Sequence, residues 1–198
     1  MPALILSLLV LASDGPGARP TSAALRRTYE TNRSSIVQVI GPKRSGAGII
    51  VGTAGEVLTS LQYVGPIDAK VLWEGRELPA RVTMADAHLG VAMVEISSPD
   101  SFPAVAVKLR NPLETGSWVV GFLRPHGKKP AVLVGRIARS NGADAPFAET
   151  DLSLPAGSPV FDAQGRLIAL AVERRGRRGT ALLPLSTIKA GLAGMLRR

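Results

Sequence analysis

The chain has no cysteine, and that absence removes disulfide cross-links and thiolate chemistry at once. Histidine is nearly as scarce: His88 and His126 are the only two, so imidazole chemistry has little to draw on. Aromatic residues make up 4% of the sequence, which argues against binding single-stranded nucleic acid by stacking bases on rings. Acidic residues are outnumbered, 15 against 24 lysines and arginines, giving a formal charge of +9. Such a surplus favours contact with acidic surfaces of any kind and names none of them. There is no phosphate-cradling GxxxxGK[ST] run and no paired His or Cys at metal-ligand spacing. Asp144, Glu149 and Asp151 are close in sequence, but nothing in their pattern aims them at one ion, so neither a metal nor a cofactor is expected.

Long apolar runs are missing too. The longest candidate, residues 3–12 (ALILSLLVLA), is too short to cross a bilayer, which needs about 20 residues. It has the length of the apolar part of a secretory signal, with small residues before Ser13, so export to the periplasm or outside is expected, with residues 1–12 removed.

Gly and Pro, by contrast, are plentiful at 21 and 15, and they separate short apolar stretches. That punctuation favours turns and strands over long helices. Residues 13–34 read as a lead-in followed by a helix over 22–32, with Ser22 as its cap. Strands are expected at 36–40, 46–51, 56–60, 70–73, 78–84, 91–96 and 104–109, then at 117–123, 131–139, 147–152, 159–161, 167–173 and 179–183. Ser186 is positioned to cap a last helix over 187–196, whose Ile188, Leu192, Met195 and Leu196 recur at helical spacing. Asn111-Pro112 is a natural joint between two halves, 35–110 and 111–198. Many short strands divided by turn signals suggest an all-β barrel or sandwich.

Five stretches occur in an informative order: Ser45-Gly46-Ala47-Gly48-Ile49-Ile50-Val51, then residues 57–64 (VLTSLQYV), 86–96 (DAHLGVAMVEI) and 147–151 (FAETD), and finally Gly157-Ser158-Pro159-Val160-Phe161. A sixth, 179–184 (GTALLP), precedes the last helix. Together they resemble the trypsin-fold serine proteases, in particular the HtrA/Do-type branch, over about 36–196 and without a PDZ domain. The resemblance implies two packed Greek-key β-barrels. It also implies a Ser-His-Asp mechanism, in which Ser attacks, His moves the proton and Asp holds the imidazole. Carried over by position, Gln62 stands where the histidine belongs, Gly90 where the aspartate belongs and Ala156 where the serine belongs. A glutamine amide has no useful basicity near neutral pH, glycine has no side chain, and alanine has no nucleophile. Only Leu152, Ser153, Leu154 and Pro155 separate Asp151 from Ala156, fewer than the family places in the loop that aims its oxyanion donors.

The expectation is therefore a catalytically inactive homologue, not an enzyme, that binds or regulates a protein or extended peptide in the cleft between barrels. Two alternatives accompany it. One is an active serine endopeptidase with a displaced site built from Ser158 or His88. The other is a basic surface that binds anionic lipid, glycan or nucleic acid through Arg174, Arg175, Arg177 and Arg178, which otherwise read as a solvated hairpin tip. Arg124, His126, Lys128 and Lys129 form a second basic loop.

Overall fold

The computed structural model describes residues 17–109, 113–123, 130–141, 146–174 and 179–195. Helix α1 (Ser22–Asn32) leads into six strands: β1 (Ile36–Ile40), β2 (Ser45–Ile50), β3 (Glu56–Ser60), β4 (Asp68–Trp73), β5 (Arg76–Asp86) and β6 (Val91–Ile96). They close into an antiparallel barrel in the order β1-β2-β3-β6-β5-β4. Six more follow: β7 (Trp118–Leu123), β8 (Ala131–Arg139), β9 (Ala148–Thr150), β10 (Pro159–Phe161), β11 (Leu167–Arg174) and β12 (Thr180–Pro184). These close in the order β10-β11-β12-β9-β8-β7, and α2 (Leu185–Met195) follows β12. The all-β expectation of two barrels flanked by an N-terminal and a C-terminal helix is met.

Strand alternation here separates two cores instead of core from water. Val37, Ile50 and Val57 fill the first barrel, while their neighbours Ile36, Ile49 and Leu58 turn outward into a shared cluster. In the second barrel Ala169, Ala171 and Leu182 point inward, and Leu170 and Leu183 point into that same cluster, with Phe122, Phe161 and Ile188. A strand apolar on both faces reads as a continuous run, and β12 is buried at all five positions. The barrels are thereby held by an apolar interface as complete as their interiors.

Four of the expected assignments change. The cap of α1 is Thr21, one residue earlier than Ser22, because the Thr21 hydroxyl accepts from the Ala24 amide at 3.2 Å. The alternating stretch 104–109 is not a strand but the crossing between barrels. The Val105 amide donates to Ile50 of the first barrel, while Leu167 donates to Ala106, and Lys108 donates back to Leu167, in the second. Its bonds go to two barrels in turn, leaving a single parallel bridge between Val107 and Leu167. The expected strand 147–152 stops at Thr150, where the hydroxyl of Thr180 takes over from the ladder. The last helix starts at Leu185, so Ser186 lies inside it. Asn111-Pro112, the segment 1–12, Leu196 and the side chains of Leu192 and Met195 lie outside the described residues.

Helix α1 docks on the second barrel. Tyr29 meets Phe122 edge-on at 5.6 Å, and the buried Asn32 donates from Nδ2 to the carbonyls of Thr28 and Gly165, at 2.9 and 3.0 Å. Its outer face stays wet, with Arg26 paired to Glu30 at 2.8 Å. The Gly165 turn is itself built by Asp162, whose carboxylate accepts from the amides of Gln164 and Arg166 and from the Arg166 guanidinium. Asn32→Ala strips two hydrogen bonds from a buried position and is expected to cost about 1–3 kcal/mol. A urea titration followed by tryptophan fluorescence would measure it, and an unchanged midpoint would mean that α1 contributes little to the fold.

Candidate functional site at the junction of the barrels

The turns that carry the three positions singled out in the sequence adjoin one another where the barrels touch. β3 ends at Ser60, and a 3-10 turn over Leu61–Tyr63 carries Gln62 to the surface. The Leu61 amide donates to the Gly90 carbonyl at 3.0 Å, and the Ser60 hydroxyl lies 3.4 Å from the same oxygen. Gly90 closes a turn whose first residue, Asp86, accepts from the amides of His88 and Leu89 and from Gly90 itself. Thus Gln62 and Gly90 sit on two turns joined by one carbonyl. Gly90 has a left-handed φ of 71°, and a side chain there would meet nothing within 4 Å. The position is open in space and restricted in backbone.

From the second barrel comes the turn Pro155-Ala156-Gly157-Ser158, closed by the Ser158 amide donating to the Pro155 carbonyl at 3.2 Å. Gly157, with φ of 77°, lies directly against the Ala47 carbonyl of β2, the Tyr63 ring and the Ser60 amide. Ala156 is 9% exposed and belongs to a buried apolar cluster made otherwise of first-barrel residues, Tyr63 and Val39 among them. The Ala156 methyl is therefore packed across the barrel junction. Burial pushes the Tyr63 phenol above its usual range, against the opposing pull of the Arg44 charge. Arg44 is exposed and donates from Nη1 to Gln62 Oε1 at 3.5 Å.

The loop before Ala156 is held by one hydroxyl. Thr180, wholly buried, accepts from the Leu154 amide at 2.9 Å and donates to the Leu152 carbonyl at 2.7 Å. In the Ser-protease mechanism the oxyanion donors are the nucleophile's own amide and that of the residue two before it. Counted from Ala156, the second of these is the Leu154 amide, which is engaged inward. Nothing in the sequence marks this, because Thr180 is 26 residues from Leu154.

The remaining candidates are dispersed. Ser158 is 2% exposed and its main chain pairs with Ala171, so its hydroxyl lies inside the protein. His88 sits exposed on the Asp86 turn. Glu149 faces Arg139 at 3.4 Å, and the Asp151 carboxylate accepts from the Arg136 amide at 2.7 Å, so the two serve separate partners. Asp144, Arg124, His126, Lys128, Lys129, Arg175, Arg177 and Arg178 lie outside the described residues, as does the side chain of Arg174. Two grooves, of about 370 and 320 Å³, lie elsewhere, both lined by α1.

A family model for the trypsin-like peptidase domain matches residues 46–170. The chain belongs to the trypsin-like peptidase family. A DegP-like probable periplasmic serine endoprotease of Brucella suis is 30% identical to this trypsin-like chain over 141 residues, covering 65% of the chain and 27% of the relative. A probable periplasmic serine protease of the do/HhoA-like type from Haemophilus influenzae is 27% identical over 154 residues, covering 75% of the chain and 33% of that protein. The trypsin-like chain thus spans about a quarter to a third of the length of these relatives. The serine endoprotease from Yersinia pestis, a crystal structure, superposes with a TM-score of 0.76 at 18% identity, over 91% of this chain and 68% of that one. That likeness establishes the two-barrel trypsin fold.

Proposed function

We propose that this trypsin-like chain is an exported protein that has given up proteolysis and uses the junction of its barrels to bind an extended peptide. The observation that carries the reading is that the turns bearing Gln62, Gly90 and Ala156 adjoin one another, with no imidazole, carboxylate or hydroxyl among those three residues. The Leu154 amide, turned toward Thr180, supports it further, since transition-state stabilisation needs donors aimed at the developing oxyanion. Export is supported by the apolar run 3–12 and by the periplasmic description of the relatives.

Binding is supported by an open strand edge. β10 pairs with β11 only as far as Pro159 opposite Leu170, whereas β12 follows β11 to Arg174. After Ala171, which bonds to Gly157 and Ser158, residues 172–174 have a strand neighbour on one side only among the described strands. Such an edge accepts a peptide as an added strand, with main-chain hydrogen bonds supplying the affinity. A displaced site based on Ser158 is disfavoured by the burial of that residue.

Incubation of the purified chain with unstructured casein and a fluorophosphonate probe is expected to give neither fragments nor covalent labelling. In parallel, fluorescence anisotropy is expected to detect binding of an extended peptide, and of none in which alternate backbone amides are methylated. Labelling or cleavage by the wild-type chain would overturn the inactive reading. Equal binding of the methylated peptide would overturn strand addition.

A further inference from the structure

We infer that the peptide held at the barrel junction is acidic, and that one of its carboxylates is received by Arg44 and the Gln62 amide; this rests on the peptide-binding reading above. The loop between β1 and β2 borders the junction, because Ala47, three residues past Arg44, is the residue that Gly157 touches. Lys43 and Arg44 stand on that loop, both exposed. Neither has a carboxylate within ion-pair distance among the described residues, a condition they share with Arg19, Arg27, Arg33, Lys108, Arg136 and Lys189.

The contact between Arg44 and Gln62 decides the chemistry. By donating to Oε1, Arg44 engages one of the two lone pairs of the single acceptor atom on the Gln62 side chain. What Gln62 then offers outward is its NH2 group, beside a guanidinium that retains further N–H donors. Two donor groups thus stand side by side at the surface, and their N–H donors outnumber the one acceptor atom, Gln62 Oε1. A planar carboxylate, with two acceptor oxygens, is the complement of that pair. Nearby acids do not compete for it. The Asp86 Oδ1 is taken up by the amides of His88 and Leu89, and Asp68, whose Oδ1 lies beside Gly65 on the same side as Pro42 of the loop, makes no ion pair with Lys43 or Arg44. The position that resembles the family's general base would in this chain recognise a side chain instead of moving a proton.

The test uses the full chain and three unstructured peptides of equal length, rich in Glu, Gln or Lys, each with a backbone-methylated control. Anisotropy is expected to rank them Glu over Gln over Lys. Arg44→Ala should weaken the Glu peptide about fivefold, the upper range for an exposed ion pair, and leave the Gln peptide unchanged. Gln62→Glu is the sharper variant. It keeps the size of the side chain at an exposed position, captures Arg44 in an internal ion pair, and repels a carboxylate, so it should weaken the Glu peptide more than Arg44→Ala does. If all three peptides bind alike, and only methylation abolishes binding, the acidic preference is overturned while strand addition stands. If the Glu peptide binds but neither variant nor methylation weakens it, the peptide sits elsewhere and both readings fall. If no peptide binds, both fall as well.

Discussion

The triple variant Gln62→His, Gly90→Asp, Ala156→Ser is expected to fold and to cleave nothing. Each substitution is locally tolerable. Gln62 is exposed, so an imidazole there displaces little. At Gly90 a side chain meets no atom within 4 Å, and the left-handed backbone costs a non-glycine residue about 1–2 kcal/mol, less for aspartate than for most. Ala156→Ser adds one oxygen at a buried position. Yet the three groups restore only part of the machine. The Leu154 amide, two residues before the new serine, still donates to Thr180. Loss of one oxyanion donor costs about 10²–10³ in rate. The new hydroxyl would also start from within an apolar cluster of the first barrel rather than facing a solvated cleft. Fluorophosphonate labelling and casein digestion, with a thermal melt to verify folding, give the readout. Labelling of the triple variant above the wild-type background would mean that the scaffold kept a working oxyanion site and lost only its side chains.

How far the fold could be read from sequence depended on which interactions are local. Strands such as β10 and β12 were legible because they are apolar on both faces, and many strands end at glycine or proline turns, as at Gly55 after β2 and at the Asp162 to Gly165 turn after β10. The six motifs in order then fixed the pairing of halves. The stretch 104–109 misled because alternation of small and branched residues looks the same whether one neighbour or two accept its hydrogen bonds. At the junction, residue identities were plain, but their company was not. That Ala156 packs into the core of the other barrel, that Thr180 holds Leu154, and that Arg44 reaches Gln62 are contacts between residues 18 or more apart, and no periodicity encodes them. What such contacts add is the state of the backbone donors, on which the functional reading turns.

Gly157→Ala is expected to damage the fold more than the loss of any single surface contact, although it adds one methyl group. Gly157 has φ of 77°, a region where a β-carbon costs about 1–2 kcal/mol. The added carbon would also collide with the Ala47 carbonyl and press on the Tyr63 ring and the Ser60 amide, at 3.2 and 3.3 Å. Of these neighbours, Ala47 and Ser60 belong to paired strands, and Gly48 of β2 faces Thr59 of β3, so the backbone has little room to yield. Crowding of a well-packed contact adds roughly 1–3 kcal/mol. The sum, about 2–5 kcal/mol, is a large share of what a domain of this size holds in reserve. The collision is also between barrels, since Gly157 stands on the second and Ala47 on the first. Relief by rigid displacement would open the shared cluster that contains Ile49, Leu58, Phe161 and Leu170. A lowered urea midpoint with increased binding of a hydrophobic dye is the expected pair of results. A midpoint within about 0.5 kcal/mol of wild type, the range of an indifferent surface change, would show that the turn carrying Ala156 can swing away from the first barrel without cost. In that case the packing of Ala156 into the first-barrel cluster would not be what holds the junction closed.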